Sequence, residues 1–149
     1  MSDFRNRPKD NFSHQASWEE LYALTKHWIS DLEFYQQDLA FLHGLVDKYF
    51  IWITDQKNLD SMKHIGGNLL RNEAECSDLI KLIGHHLDEL GQAVEHPEKA
   101  DADELRQNHE ELENQMAQII KEIRTNRKEV FSITEHIMDS EQLSHLLNN

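Results

Sequence analysis

Ten histidines, 28 carboxylates and one cysteine carry whatever chemistry this 149-residue sequence has. His85/Glu89 and His109/Glu113 lie four residues apart, the spacing at which two side chains meet on one helix face and can chelate a metal ion. His27/Asp31 and His43/Asp47 share the spacing and read as surface hydrogen-bond pairs. Stronger metal templates fail. A carboxylate-bridged two-metal bundle needs Glu-x-x-His pairs, and no histidine here follows a Glu at that distance. No two histidines are four apart, which removes the HExxH zinc site. Nucleophilic catalysis has no better support. Cys76 falls in an apolar rhythm, and a thiol buried among apolar side chains is inert. Gly66-Gly67 lacks the Lys-Ser/Thr continuation of a phosphate loop and the strand before it. The expectation is a non-enzyme with no catalytic constellation and no cofactor.

The elements that must position these side chains are helices. From Trp18 the sequence places Leu21, Thr25, Trp28, Leu32, Tyr35, Leu39, Leu42, Val46, Tyr49 and Ile53 at alternating steps of three and four. That is a heptad seam, and it needs other helices to cover it. Ser17-Trp-Glu-Glu20 is a capping box that starts the first helix. A second seam runs Met62, Ile65, Leu69, Asn72, Cys76, Leu79, Ile83, His86, Leu90 and Ala93, with Asn58 as the candidate cap. His96-Pro97 stops it, because the residue before proline leaves the helical region. Asp101-Ala-Asp-Glu104 caps a third helix. Its seam reads Ala102, Leu105, His109, Leu112, Met116, Ile119, Ile123, Asn126, Val130, Ile133 and Ile137, with Leu143, Leu146 and Leu147 beyond. The expected helices span 17–56, 58–95 and 101–147. Short connections make neighbours antiparallel. The expected fold is all-α: an elongated up-down-up three-helix bundle with coiled-coil-like packing over residues 14–149, after a basic, flexible arm at 1–13.

Folding the seams back on each other brings the polar seam positions together. Facing residue numbers should total about 112 between the first two helices and about 197 between the second and third. His86 should therefore meet His109 and lie near Thr25. Asn72 should meet Asn126, with His43 at the edge of that layer. Polar core residues need partners, and such layers ordinarily set helix register. The chemical alternative is a metal- or small-ligand-binding bundle, a sensor or carrier, in which His86 and His109 supply two nitrogens and Glu89 or Glu113 lies one turn away.

The first helix carries a second apolar row: Phe34, Phe41, Leu45 and Trp52 fall close to one line, well away from the seam. An exposed row of this kind is an interface signature, and two copies packed through it would bury it symmetrically. A homodimer or another protein partner is expected. Gly84 and Gly91, seven apart, would let a neighbouring helix come close, and Gly66-Gly67 marks a kink or a flexible start of the second helix. The net charge of −13 opposes nucleic acid and anionic membrane surfaces. Lys121, Arg124, Arg127 and Lys128 make the one basic run on the body, with Glu122 and Glu129 interleaved as a salt-bridged face. A single cysteine cannot form an internal disulfide, no signal-like apolar start is present and no run approaches a membrane span. A cytoplasmic protein is the expected class.

Overall fold

The computed structural model describes residues 15–141. The arm at 1–13 and the Leu143–Leu147 face lie outside the described residues. Three helices, α1 (Trp18–Phe50), α2 (Gln56–Glu95) and α3 (Ala102–Ser140), pack against one another, and among the described residues there is no strand.

Each helix begins where a side chain satisfies its first backbone donors. Ser17 Oγ accepts from the Glu20 amide at 3.1 Å, and Glu20 Oε1 accepts from the Ser17 amide at 3.0 Å. Asp101 Oδ1 accepts from the Glu104 amide at 3.2 Å. At α2 the cap is Asp55, whose carboxylate accepts from the Asn58 amide at 3.3 Å. The expectation of an Asn58 cap is therefore corrected. Asp55 is in extended backbone and Asn58 is already inside the first turn. There the Asn58 side chain is buried and donates to Ser140 Oγ at 2.7 Å.

The first helix also stops earlier than expected. After Phe50 the chain makes two short turn bonds, Trp52 N–H to the Tyr49 carbonyl and Ile53 N–H to the Phe50 carbonyl. Trp52 thus leaves the helix that was to carry it. At the other end α2 finishes at Glu95, and Pro97–Lys99 form a 3-10 turn before α3. Helix α2 stays one α-helix through Gly66-Gly67.

Cross-helix pairs give the directions. Tyr22 lies beside Gly91, Leu32 beside Cys76, His43 beside Glu73 and Val46 beside Gly66. As α1 rises, α2 descends. His86 with His109, and Asn58 with Ser140, show the same reversal between α2 and α3. Asp38 with Arg127 and Tyr49 with Met138 share one separation, 89 residues, so α1 and α3 run parallel in a fixed register. The pairs fall close to the totals expected from the sequence.

All ten expected α2 seam residues are buried. On α1 the seam is buried except at its ends and at Tyr35, which is half-buried against the core. On α3 Ala102 is exposed, and Thr134 is buried while Ile133 is only partly so. The apolar cluster is continuous from Trp28 to Tyr49 on α1 and from Met62 to Ile83 on α2. At about 1.5–3 kcal/mol for each fully buried large apolar side chain, this stripe dominates the stability of a chain with no disulfide. A Cβ on Gly91 would stand 3.4 Å from the Tyr22 ring, an ordinary van der Waals contact. A Cβ on Gly84 would meet nothing within 4 Å among the described residues, so at neither glycine does a neighbouring helix come closer than a side chain would allow.

Candidate functional site

Two sets of residues stand out: a polar layer in the core and an exposed aromatic row on the surface. In the layer, His86 from α2 and His109 from α3 bring Nε2 and Nδ1 to 3.2 Å. They are 2% and 0% exposed. The Trp28 indole of α1 stacks on His109 with ring centroids 4.5 Å apart. Spacing predicted the pair; the stacking it did not predict. Trp28 was read only as a seam residue, and its approach to His109 depends on helix tilt.

Only one of the two facing nitrogens can carry the proton they share. If His86 donates, His86 Nδ1 is a bare acceptor and His109 Nε2 bears hydrogen. If His109 donates, the roles reverse. Either way the outer nitrogens present one donor and one acceptor. Neither has a protein hydrogen-bond partner among the described residues, and neither does Trp28 Nε1. Burial pushes His86 down to about 4, helped by the nearby His85. Burial pushes His109 down to about 3, helped by His86 and Arg106. Both rings are neutral at neutral pH. Glu113 is buried one turn along α3, a carboxylate that periodicity alone places off the seam. Over His86 the α2–α3 surface opens a groove of 200 Å³ lined by Leu82, His85, Glu89, Asn108, Glu111 and Gln115 among others.

Thr25 does not join the pair by hydrogen bonding. Its hydroxyl donates to the Leu21 carbonyl of its own helix at 2.7 Å. Asn72 and Asn126 are both buried, and the Asn72 Nδ2 has no hydrogen-bond partner among the described residues. His43 sits at the edge of that level as expected, with Nδ1 3.0 Å from Glu73 and Nε2 3.9 Å from Asp47. His85 and Glu89 are 3.4 Å apart on the surface. Among the described residues no three His, Cys, Asp or Glu side chains are grouped so as to hold a metal ion. The His86/His109 pair with Glu89 or Glu113 therefore does not assemble a three-ligand metal site. Cys76 is buried, its thiol 3.5 Å from the Leu32 carbonyl and pushed up to about 11 by burial. It has neither the exposure nor the thiolate character of a nucleophile.

On the surface row, Phe34 is 60% exposed, Phe41 54% and Trp52 46%. Leu45 is half-buried and packs against the core. The spacing did not show what lies beside this row. Arg127 of α3 reaches α1 and bonds both Asp38 oxygens, at 2.7 and 2.8 Å. Its guanidinium lies 5.6 Å from the Phe131 ring, and Phe131 is itself 43% exposed.

A third feature was missed. Glu141, just past α3, accepts from the Thr54 and Asp55 amides at 3.0 Å each and from the Thr54 hydroxyl at 2.6 Å. The Thr54 hydroxyl bond, then the Asp55 and Thr54 amides and Asn58, hold its carboxyl down to about 2. This ties the end of α3 to the α1–α2 turn. No seam periodicity reports it, because both partners are polar turn residues.

The described helices include none long and apolar enough to cross a membrane. No protein-family model, no curated protein and no solved structure matches this chain.

Proposed function

We propose that this chain is a cytoplasmic, non-enzymatic helical bundle that works through protein–protein contact and self-associates through α1, a homodimer being the simplest product. The observation that carries the reading is the exposure of Phe34 and Phe41 on a helix whose seam is already filled by α2 and α3. Aromatic side chains left open in a row are what an interface core is built from. Light scattering after size exclusion, at several concentrations, tests it. The expected mass exceeds the 17.6 kDa chain, and Phe34→Asp with Phe41→Asp returns it to that value. A wild-type mass of one chain at every concentration overturns the reading.

A second reading has its own observation. Trp28 Nε1, His86 Nδ1 and His109 Nε2 are three buried nitrogens without hydrogen-bond partners among the described residues, an arrangement suited to a small polar ligand in the core layer. Native mass spectrometry of protein made without a histidine tag, with metal content read on the same sample, tests it. A stoichiometric ligand or metal lost in His86→Ala supports it, and bare protein removes it.

A further inference from the structure

Helix α3 divides the surface into two flanks of opposite character. On the side facing α1, the separation of 89 residues sets Phe41 within one residue of the level of Phe131 and Phe34 within one residue of the level of Arg124. Arg124 and Phe131 are one turn either side of Arg127 and so share its face. Lys128 is next to it and exposed. This flank is three exposed phenylalanines beside Arg124, Arg127 and Lys128, with Asp38 bonded to Arg127 among them. On the side facing α2, Glu75, Asp78, Leu82, Gln118 and Glu122 line a shallow groove. Leu82 is 52% exposed. Burial and the hydrogen-bonding, like-charged Glu122 opposite push Glu75 up against the opposing pull of Arg71, and a further cation placed between these carboxylates would relieve their remaining repulsion.

We propose that the aromatic–cationic flank between α1 and α3 docks onto the acidic flank between α2 and α3 of a second copy, so that the protein associates head to tail. The inference rests on the self-association reading above and specifies what α1 meets. Charge complementarity selects the occupant. Arg124, Arg127 and Lys128 lie beside the open aromatic row, Arg127 bonded to Asp38, and carboxylates with an open leucine lie on the other side of the same helix. A two-fold contact through α1 would instead set Arg124 and Lys128 near their own copies, and like-charge juxtaposition is unfavourable. A head-to-tail contact uses two different surfaces, so each added copy leaves one of each free and growth continues unless the ring closes.

Complementation between two surface variants tests this. The first carries Phe41→Asp with Lys128→Glu; the second carries Asp78→Lys with Glu122→Lys. All four positions are exposed or half-buried, and circular dichroism with thermal melts verifies that both variants fold. Wild-type protein is expected to rise past twice the chain mass as concentration increases, and to fall back with added salt. Each variant alone is expected to be monomeric. An equal mixture of the two is expected to give a one-to-one dimer that does not grow, because only one competent pair of surfaces remains. If the second variant associates as the wild type does while the first does not, the head-to-tail inference is overturned and contact through α1 stands. If the wild type is a monomer throughout, both are overturned.

Discussion

The core has two regions that follow different rules. Around Leu42, Val46, Leu69 and Val130 it is a predominantly apolar cluster, interrupted by the buried Asn72 and Asn126. Toward the α2–α3 connection it becomes polar: His86 against His109, Trp28 stacked on the ring, Thr25 bonded to its own helix and Glu113 buried nearby. The apolar region is held by area removed from water, which is insensitive to pH and tolerant of register. The polar layer is held by one hydrogen bond between neutral rings, so it is sensitive to protons and to alignment. Helix alignment is the property the second region contributes, since a one-turn slip would leave each imidazole facing aliphatic side chains.

Substitutions can sharpen this contrast. The largest effect is expected in the apolar region, where Leu69→Ala leaves a cavity and should cost about 2–5 kcal/mol in denaturant unfolding. If Leu69→Ala costs less than a change in the polar layer, the division of labour is wrong. In the polar layer, His109→Leu strands the His86 nitrogen and should cost about 1–3 kcal/mol. His86→Leu with His109→Leu removes both partners and should cost less than the single change, because no buried donor or acceptor is left unmatched. A double variant that is the worse of the two would contradict the pairing.

Acid separates the regions further. The two histidines bind protons more readily unfolded, near 6.5, than folded, near 4 and 3. The unfolded state therefore takes up more protons between those values, and stability rises with pH across that window. Stability from the layer is fully present above about 6.5 and is lost progressively as pH falls toward 3. Unfolding midpoints measured from pH 7 to pH 4 should drop, and the His86→Leu/His109→Leu variant should lose that part of the drop. Glu141 acts lower. Its folded value near 2 is below the ordinary 4.5, so its contribution is present above about 4.5 and disappears as pH falls through 2. Glu141→Gln should lower the unfolding midpoint at neutral pH and flatten the profile only below about 4.5, overlapping the lower part of the histidine window. The smallest expected effect is at the entry to α1, where Ser17→Ala breaks the capping box at about 0.5–2 kcal/mol. Replacing Asp38 or Arg127 removes a partly exposed ion pair, which typically contributes up to about 1 kcal/mol.

Much of this was legible because helix periodicity is a local property of the chain. The three-four spacing identifies every buried α2 seam residue, and antiparallel folding of the seams sets His86 against His109. Caps were legible at Ser17 and Asp101 for the same reason, since donor and acceptor are three residues apart. The illegible parts depend on contacts between distant segments. Asn58 looked like a cap because Asn caps helices, yet it is drawn inside by Ser140 and Glu141, more than eighty residues away. Trp52 looked like part of a helical row, yet the chain turns at Phe50. Phe131 and the Asp38–Arg127 pair joined the exposed row only when the register between α1 and α3 became known.

The sequence by itself determined that three long amphipathic helices would form, which faces they would bury and which polar positions would share a level. Each of these follows from repeat period and capping chemistry along a single chain segment. Tertiary structure alone decided how the helices tilt and how the chain turns after α1. Those features stack Trp28 on His109, lock Glu141 onto the first turn, and leave aromatic and cationic side chains on one flank of α3 with carboxylates on the other. They depend on the relative placement of helices, and relative placement is set by packing across the whole bundle, which no single stretch of sequence encodes.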